Sequence, residues 1–532
     1  MNFSAQYIPY SDTAAFSTIV TDYVAAHPLL EPYYQYPVSM QSILLAIQAR
    51  QQFSTNRQLL STVLMHQYAG MPDSELVLKN IEKLADPNCF TITTAHQPNL
   101  FTGHLYFIYK ILQVIRMADQ FNKDLPAYSF VPVYYMGSED ADLAELGHVN
   151  LNGGKIEWAT NQTGAVGRMK VDKALLEAID QVSGQLSIAP FGEELVSILR
   201  AAYKEGTSIE QAVFNLVHQL FAKYGLIVFL PDHPEWKSAF APIMQQELET
   251  AFSHQAVAAQ VKNFPAEYKV QAGGRDINLF YLQEGRRDRI TLKDNRYIVN
   301  DTQLVFSKEA LLQELAMHPE RFSPNVILRP VLQEMLLPNI VFVGGGGEIA
   351  YWLELKKVFE IAGIPYPLMV LRNSFLIMQK KELALASKIG LQPIDLFRSE
   401  QNLLSEVVKK TSSLQLDLEK EKAKLIALYD EIEILAANID PSLGTHTKNL
   451  LTKAFKRIEQ LEKKMLRAEK LKFETLHRQL HQLKSSLFPL NNLQERGENF
   501  MPYYAQYGAA FIQMLYQHSL LLEQKFAILK EE

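Results

Sequence analysis

The 532-residue chain carries 52 Lys and Arg against 58 Asp and Glu, a formal net charge of −6. Its 48% hydrophobic and 21% charged residues are those of a folded globular protein, and its length calls for two or more domains. This balance removes any global argument for nucleic-acid or anionic-membrane binding, and the one cysteine, Cys89, excludes an intrachain disulfide framework.

In chain order, Ser11 to Leu84 reads as a helical layer, with Leu59, Leu60, Val63 and Leu64 at helical spacing. The N-terminal stretch lacks a basic-then-apolar leader pattern. No apolar run approaches the ~20 residues of a membrane span, so a cytoplasmic protein is expected. Five short apolar runs follow: Phe90–Thr94, Phe130–Met136, Leu226–Leu230, Ile340–Val343 and Leu368–Leu371. Helical segments such as Leu105–Gln120 and Ile209–Tyr224 lie between them. The alternation predicts an α/β fold with a Rossmann-like parallel sheet. Two antiparallel insertions are expected, over about 149–171 and about 255–325. The core then spans 1–376, and a C-terminal domain spans 377–532. In the latter, Leu404, Val407, Leu414, Leu418, Leu425, Leu428, Ile432 and Leu435 form a coiled-coil seam. Residues 438–444 break the helix, and a second long helix follows, its register slipping between Met465 and Leu476. The two read as an antiparallel hairpin over about 400–487, with arms of roughly 50–60 Å. The aromatic tail from Phe488 is expected to return to the core.

Three constellations sit at strand ends. The first, His96, Gln97, Asn99, Thr102, Gly103 and His104, precedes a helix whose free N–H groups suit a phosphate or carboxylate. The bland alternative is a capped structural loop. The second is Ser138, Glu139, Asp140 and Asp142. Its carboxylates could bind an amine, act as general base, hold Mg²⁺, or merely cap a helix. His148 follows and is as readily structural. The third is Gly344, Gly345, Gly346, Gly347 and Glu348, a strand–glycine–helix turn suited to close backbone approach or positive φ. It has neither the spacing of a dinucleotide loop nor the lysine of a P-loop. Arg329 and Arg372, read as strand-end arginines, could clamp a carboxylate or phosphate. His477 and His481 have metal-like spacing, but exposed helix positions are the better reading; no metal ligand set is assigned. Cys89 reads as a buried thiol.

At these residues the sequence resembles the bacillithiol biosynthesis cysteine-adding enzyme family, BshC. The likeness is carried by His96-Gln97-Pro98-Asn99-Leu100-Phe101-Thr102-Gly103, by Gly137-Ser138-Glu139-Asp140-Ala141-Asp142, and by Arg329-Pro330-Val331-Leu332-Gln333. Val343 through Trp352 and Leu493-Gln494-Glu495-Arg496 complete it. The resemblance implies a Rossmann-like core with two connecting-peptide insertions and a coiled coil that makes a homodimer. It implies a ligase whose partners are cysteine and glucosaminyl malate, joined through the cysteine carboxyl to give bacillithiol. Gly103-His104 is similar to the pair that stabilises ATP phosphates in class I synthetases, although many family members have proline after that glycine. Amide formation from a free carboxylate is uphill in water, so ATP (leaving ADP or AMP) is the expected activator. The alternatives are a pantothenate-synthetase-like ligase and a non-catalytic coiled-coil scaffold.

Overall fold

The computed structural model describes residues 2–412 and 416–532. Five strands form one parallel sheet: β1 (Cys89–His96), β2 (Ser129–Met136), β3 (Ile227–Phe229), β4 (Asn339–Gly344) and β5 (Leu368–Leu371). Their side chains are buried almost throughout, as expected for strands covered on both faces. The order across the sheet is β5-β4-β1-β2-β3, with every neighbouring pair parallel. Strand order reverses between β1 and β4. In an open α/β sheet, ligands bind at the carboxyl ends of the strands flanking such a reversal.

Four helices matter for the site. They are α1 (Tyr106–Asp124), α2 (Ile209–Phe221), α3 (Leu328–Leu336) and α4 (Gly346–Trp352). Helix α1 follows β1 and packs on β1 and β2. The first insertion is the hairpin His148–Leu151/Gly154–Glu157, turned at Asn152 and Gly153 with φ of 49° and 79°. The second is larger than a hairpin. Leu279–Gln283, Arg286–Lys293 and Arg296–Val299 form a meander that gains Val305–Phe306 on one edge and Phe322–Pro324 on the other. Arg329 is not at a strand end: it lies in α3, because Asn325 turns the chain there by accepting from the Ile327 N–H at 2.9 Å.

The chain divides into two compact units, Met1–Leu376 with Asn492–Glu532, and Ile377–Asn491. In the first, Phe3–Ile8 pairs antiparallel with Phe526–Glu531. The second is built on α5 (Glu419–Ile439), α6 (Pro441–Lys470) and α7 (Glu474–Leu487). The break between its arms is tighter than residues 438–444. Asp440 alone is non-helical; its side chain accepts from the Ser442 N–H at 2.7 Å, and Pro441 starts α6. The register slip falls where the 3₁₀ turn Leu471–Phe473 separates α6 from α7. The first arm is not one continuous helix. Helix α5 has 21 residues, about 32 Å, because the helix Glu400–Thr411 ends before it. Of the seam, Leu414 lies outside the described residues, Leu404 and Val407 are buried, and Leu428 and Leu435 are 51% and 67% exposed.

Candidate active site at the switch point of the sheet

Strand β1 ends at His96, and the chain leaves it through a turn with unusual backbone. Phe101, Thr102 and Gly103 have φ of 48°, 69° and 67°. The left-handed region costs a residue with a Cβ roughly 1–2 kcal/mol, and Thr is branched there as well. The turn is therefore held from outside. The Phe101 N–H donates to the Tyr203 hydroxyl at 3.2 Å, and the Leu105 N–H donates to the Glu498 carbonyl at 2.8 Å. Gly103 is required: a Cβ there would stand 2.8 Å from Asn99 Cβ at a positive φ.

Strand β4 ends at Gly344, directly across the reversal. None of Gly344, Gly345, Gly346 or Gly347 has positive φ. Three of the four serve close packing. An added Cβ would lie 2.9 Å from the Phe342 ring at Gly344, 3.0 Å from Val20 at Gly346 and 3.3 Å from the Glu348 carboxylate at Gly345; at Gly347 it would meet nothing. Glu348 caps the start of α4, accepting from the Gly345 N–H at 2.8 Å. It also pairs with Lys110 of α1, whose Nζ donates to the Ala95 carbonyl at 2.8 Å. The turns after β1 and β4 are thus tied together by one buried lysine. Burial lowers the Lys110 pKa, partly offset by Glu348.

Arg372, the residue after β5, completes this side. Its N–H donates to the Gly344 carbonyl at 2.8 Å, and its guanidinium meets Glu495 at 2.7 Å. It lies over the Tyr106 ring at 4.8 Å. Glu495 belongs to the returned segment Asn492–Glu532 and is fully buried. His96 and His104 flank Tyr106, with ring centroids 5.4 and 5.6 Å away. Burial holds the His96 pKa well below its ordinary value, with Lys110, His104 and Arg372 adding to the effect. His104 is lowered by burial, His148 and Arg496.

The second motif lies at the end of β2, beside the first. The Gly137 N–H donates to the His96 carbonyl at 2.8 Å. Asp140 accepts from Gln97 at 2.7 Å and from Arg329 at 3.0 Å, with a second, shorter bond making that pair bidentate. Burial would raise the Asp140 pKa, but Arg329, with Arg287 and Gln97, holds it at about 2. A carboxyl that acidic is a poor proton acceptor near neutrality. Glu139 is buried in an ion pair with Lys237, which also donates to the Phe322 carbonyl at 2.7 Å. Asp142 is exposed and caps the short helix Leu143–Leu146, accepting from the Glu145 N–H at 3.2 Å. Ser138 lies beside Glu210 at the start of α2, whose carboxyl is pushed up to about 8 by burial and the nearby Asp232.

Several polar atoms at this edge are buried without a partner: His96 Nε2, Asn99 Oδ1, Thr102 Oγ1 and Tyr109 Oη. Buried polar atoms of this kind call for a water, an ion, a ligand or a catalytic role to account for them. Their mix of donors and acceptors suits an anionic or polar small molecule. Among the described residues no three His, Cys, Asp or Glu side chains gather as a metal set. His477 and His481, 56% and 68% exposed, each meet Glu400 at 3.2 Å within the second unit. Cys89 is buried and its thiol is pushed up to about 12 by burial.

A family model described as the BshC N-terminal Rossmann-like domain of bacillithiol biosynthesis matches residues 3–373, and that of the BshC C-terminal coiled-coil domain matches residues 375–531. This chain belongs to the BshC family. A relative from Flavobacterium johnsoniae, named "Putative cysteine ligase BshC", is 37% identical, covering 98% of this chain and 99% of its own. Relatives of the same name from Flavobacterium psychrophilum and Cytophaga hutchinsonii are 34% and 35% identical; the alignments cover 98% and 97% of this chain and 99% and 97% of theirs. A solved structure described as a "putative arginyl t-RNA synthetase" from Campylobacter jejuni matches at 10% identity and a TM-score of 0.24. It covers 84% of this chain and 98% of its own. The chain is thus a ligase-family protein with a Rossmann-like core. No helix among the described residues is long and apolar enough to cross a membrane.

Reading the sequence alone misses Lys110, Arg287, Glu210 and Tyr203. Lys110 had a signal, a lone charge in the otherwise apolar start of α1. Arg287 reaches Asp140 at 3.8 Å from the second insertion, and burial with Arg329 nearby draws it down to about 10. Nothing in a strand reading Arg286-Arg287-Asp288-Arg289 distinguishes it from its neighbours.

Proposed function

We propose that this chain joins the carboxyl group of cysteine to the amine of glucosaminyl malate, forming bacillithiol, with ATP as activator. The observation that carries the reading is the convergence of the turns after β1 and β4 at the reversal of the sheet, bridged by Lys110 and Glu348. Family membership supplies the substrate class, since the relatives are named for cysteine ligation. The nucleotide, when bound, supplies the activation that a free carboxylate lacks.

The chain's own groups divide the remaining work. His96 Nε2 and Thr102 Oγ1 offer hydrogen bonds to the anionic portion of the substrates, and Asn99 Oδ1 accepts one from a donor such as the amine. His104, neutral near pH 7 because burial lowers its pKa below the ordinary value, takes a proton from the acceptor's ammonium group and so frees the amine that then attacks the activated carboxyl. Asp140, Arg329 and Gln97 orient the turn after β2, and Glu139 anchors it through Lys237. Closely spaced groups on rigid strand ends gain mostly by positioning the two reactants.

Assembly as a homodimer through the helical hairpin belongs to the same proposal. It is supported by apolar side chains left uncovered on α5, with Leu428, Leu435 and Ile439 51, 67 and 81% exposed. A cytoplasmic location follows from the biosynthetic role. The test is product formation by the purified protein from cysteine, glucosaminyl malate and ATP. No thiol product with any nucleoside triphosphate would overturn the reading. ATP–pyrophosphate or ATP–phosphate exchange dependent on a different acid would assign another substrate.

A further inference from the structure

Asn499 lies 396 residues beyond Gly103 in sequence and is 1% exposed. Its Nδ2 donates to the Phe101 carbonyl at 2.9 Å and to the Gly103 carbonyl. Its Oδ1 accepts from the Met501 N–H at 2.8 Å. This set fixes the amide's orientation: the two carbonyls can be met only by its NH₂, and the N–H only by its oxygen. One buried side chain therefore grips the two ends of the left-handed run Phe101–Gly103. The adjacent Glu498 carbonyl takes the Leu105 N–H at 2.8 Å, which extends the grip to the start of α1.

A connection that only had to join β1 to α1 has unstrained solutions. Strained backbone persists where the surroundings over-determine it, and such places cluster at ligand clamps. The turn carries two of the unpartnered atoms, Asn99 Oδ1 and Thr102 Oγ1, and delivers His104 beside Tyr106. Asn499 spends both of its donors, and the acceptor bond from Met501, on backbone and on neither of those atoms.

We propose that Asn499 is a positioning residue of the ligase reaction: it holds Phe101–Gly103 left-handed and so sets where Asn99, Thr102 and His104 meet the substrates. The inference rests on the ligase reading above. Asn499→Asp keeps the size and the acceptor for Met501, but replaces the two donated bonds with a carboxylate facing two carbonyls. Asn499→Ala removes the grip without repulsion. Two readouts are taken on the full-length protein. The first is kcat and KM for thiol product formation; the second is amide hydrogen exchange of Phe101–Leu105 against that of Thr91–Thr94 in β1.

Expected for both variants is a kcat at least 100-fold lower, with exchange faster by tenfold or more at Phe101–Leu105 and unchanged in β1. Activity within threefold of the parent overturns the proposal. So does activity lost without local exchange, or lost only in proportion to global unfolding. If the parent protein itself makes no product, the ligase reading falls. The exchange comparison then still decides whether Asn499 governs the turn, with unchanged exchange overturning it.

Discussion

Asp140 can be tested quantitatively, because its partners are few and known. It meets Arg329 bidentately and Gln97 at 2.7 Å, with only 17% of its side chain exposed. A carboxyl held at about 2 in place of its ordinary 3.8 stabilises the fold by about 2 kcal/mol at neutral pH. Its folded pKa is depressed, so this stability is complete above about pH 5 and is lost as pH falls through 3.8 toward 2. Asp140→Asn removes it and leaves Arg329 charged and mostly buried, for which about 3 kcal/mol is expected, the lower end for a broken buried pair. All three tryptophans, Trp158, Trp236 and Trp352, belong to the first unit, so fluorescence during guanidinium unfolding reports on that unit. The gap between parent and Asp140→Asn should be about 3 kcal/mol at pH 7 and smaller by roughly 1 kcal/mol at pH 3. Adding Arg329→Met should restore at least half of the loss, since the stranded cation is gone. A gap below about 1 kcal/mol at pH 7, or one that stays flat down to pH 3, would refute the pairing as the source of the stability.

Four further outcomes are expected. His104→Ala should lower kcat about 10²–10³-fold with unfolding unchanged; because the His104 pKa is lowered, parent activity should persist as pH falls through 6.5 and decline only below it. A parent rate already halved at pH 6.5 would count against His104 as the proton acceptor. Arg50→Met, at the amino edge of the sheet, strands the fully buried Glu334 and should cost about 3–5 kcal/mol while leaving KM for both substrates unchanged. Gly103→Ala forces a Cβ against Asn99 at positive φ and should abolish activity while destabilising by about 1–3 kcal/mol, read by the same unfolding assay. Leu435→Lys with Ile439→Lys should give a monomer by light scattering, with helix content by circular dichroism retained.

The parallel sheet was legible because its strands are buried on both faces and so read as unbroken apolar runs; Leu368–Leu371 agrees residue for residue. Its order was not, since pairing between β1 and β4 joins residues some 250 apart, such as Thr94 and Val343. The same limit applied to the site. Residue type at strand ends singled out His96, Asp140, Gly344 and Arg372. It could not show that Asp140 spends its charge on Arg329, or that three of the four glycines answer to Phe342, Val20 and Glu348 rather than to positive φ. The strand Phe3–Ile8 went unread because its partner, Phe526–Glu531, lies at the other end of the chain. The break between Glu400–Thr411 and α5 went unread because the leucine spacing carries across it.

That pairing of the first strand with the last has a consequence for biogenesis. During synthesis the candidate site waits: Glu495 and Asn499 emerge only after residues 377–491, and Phe526–Glu531 later still. Contacts of such sequence separation form late and slowly. Ordering of this edge should therefore wait on the Asn492–Glu532 segment, and removal of Phe526–Glu531 should destabilise the first unit by leaving Phe3–Ile8 without its strand partner.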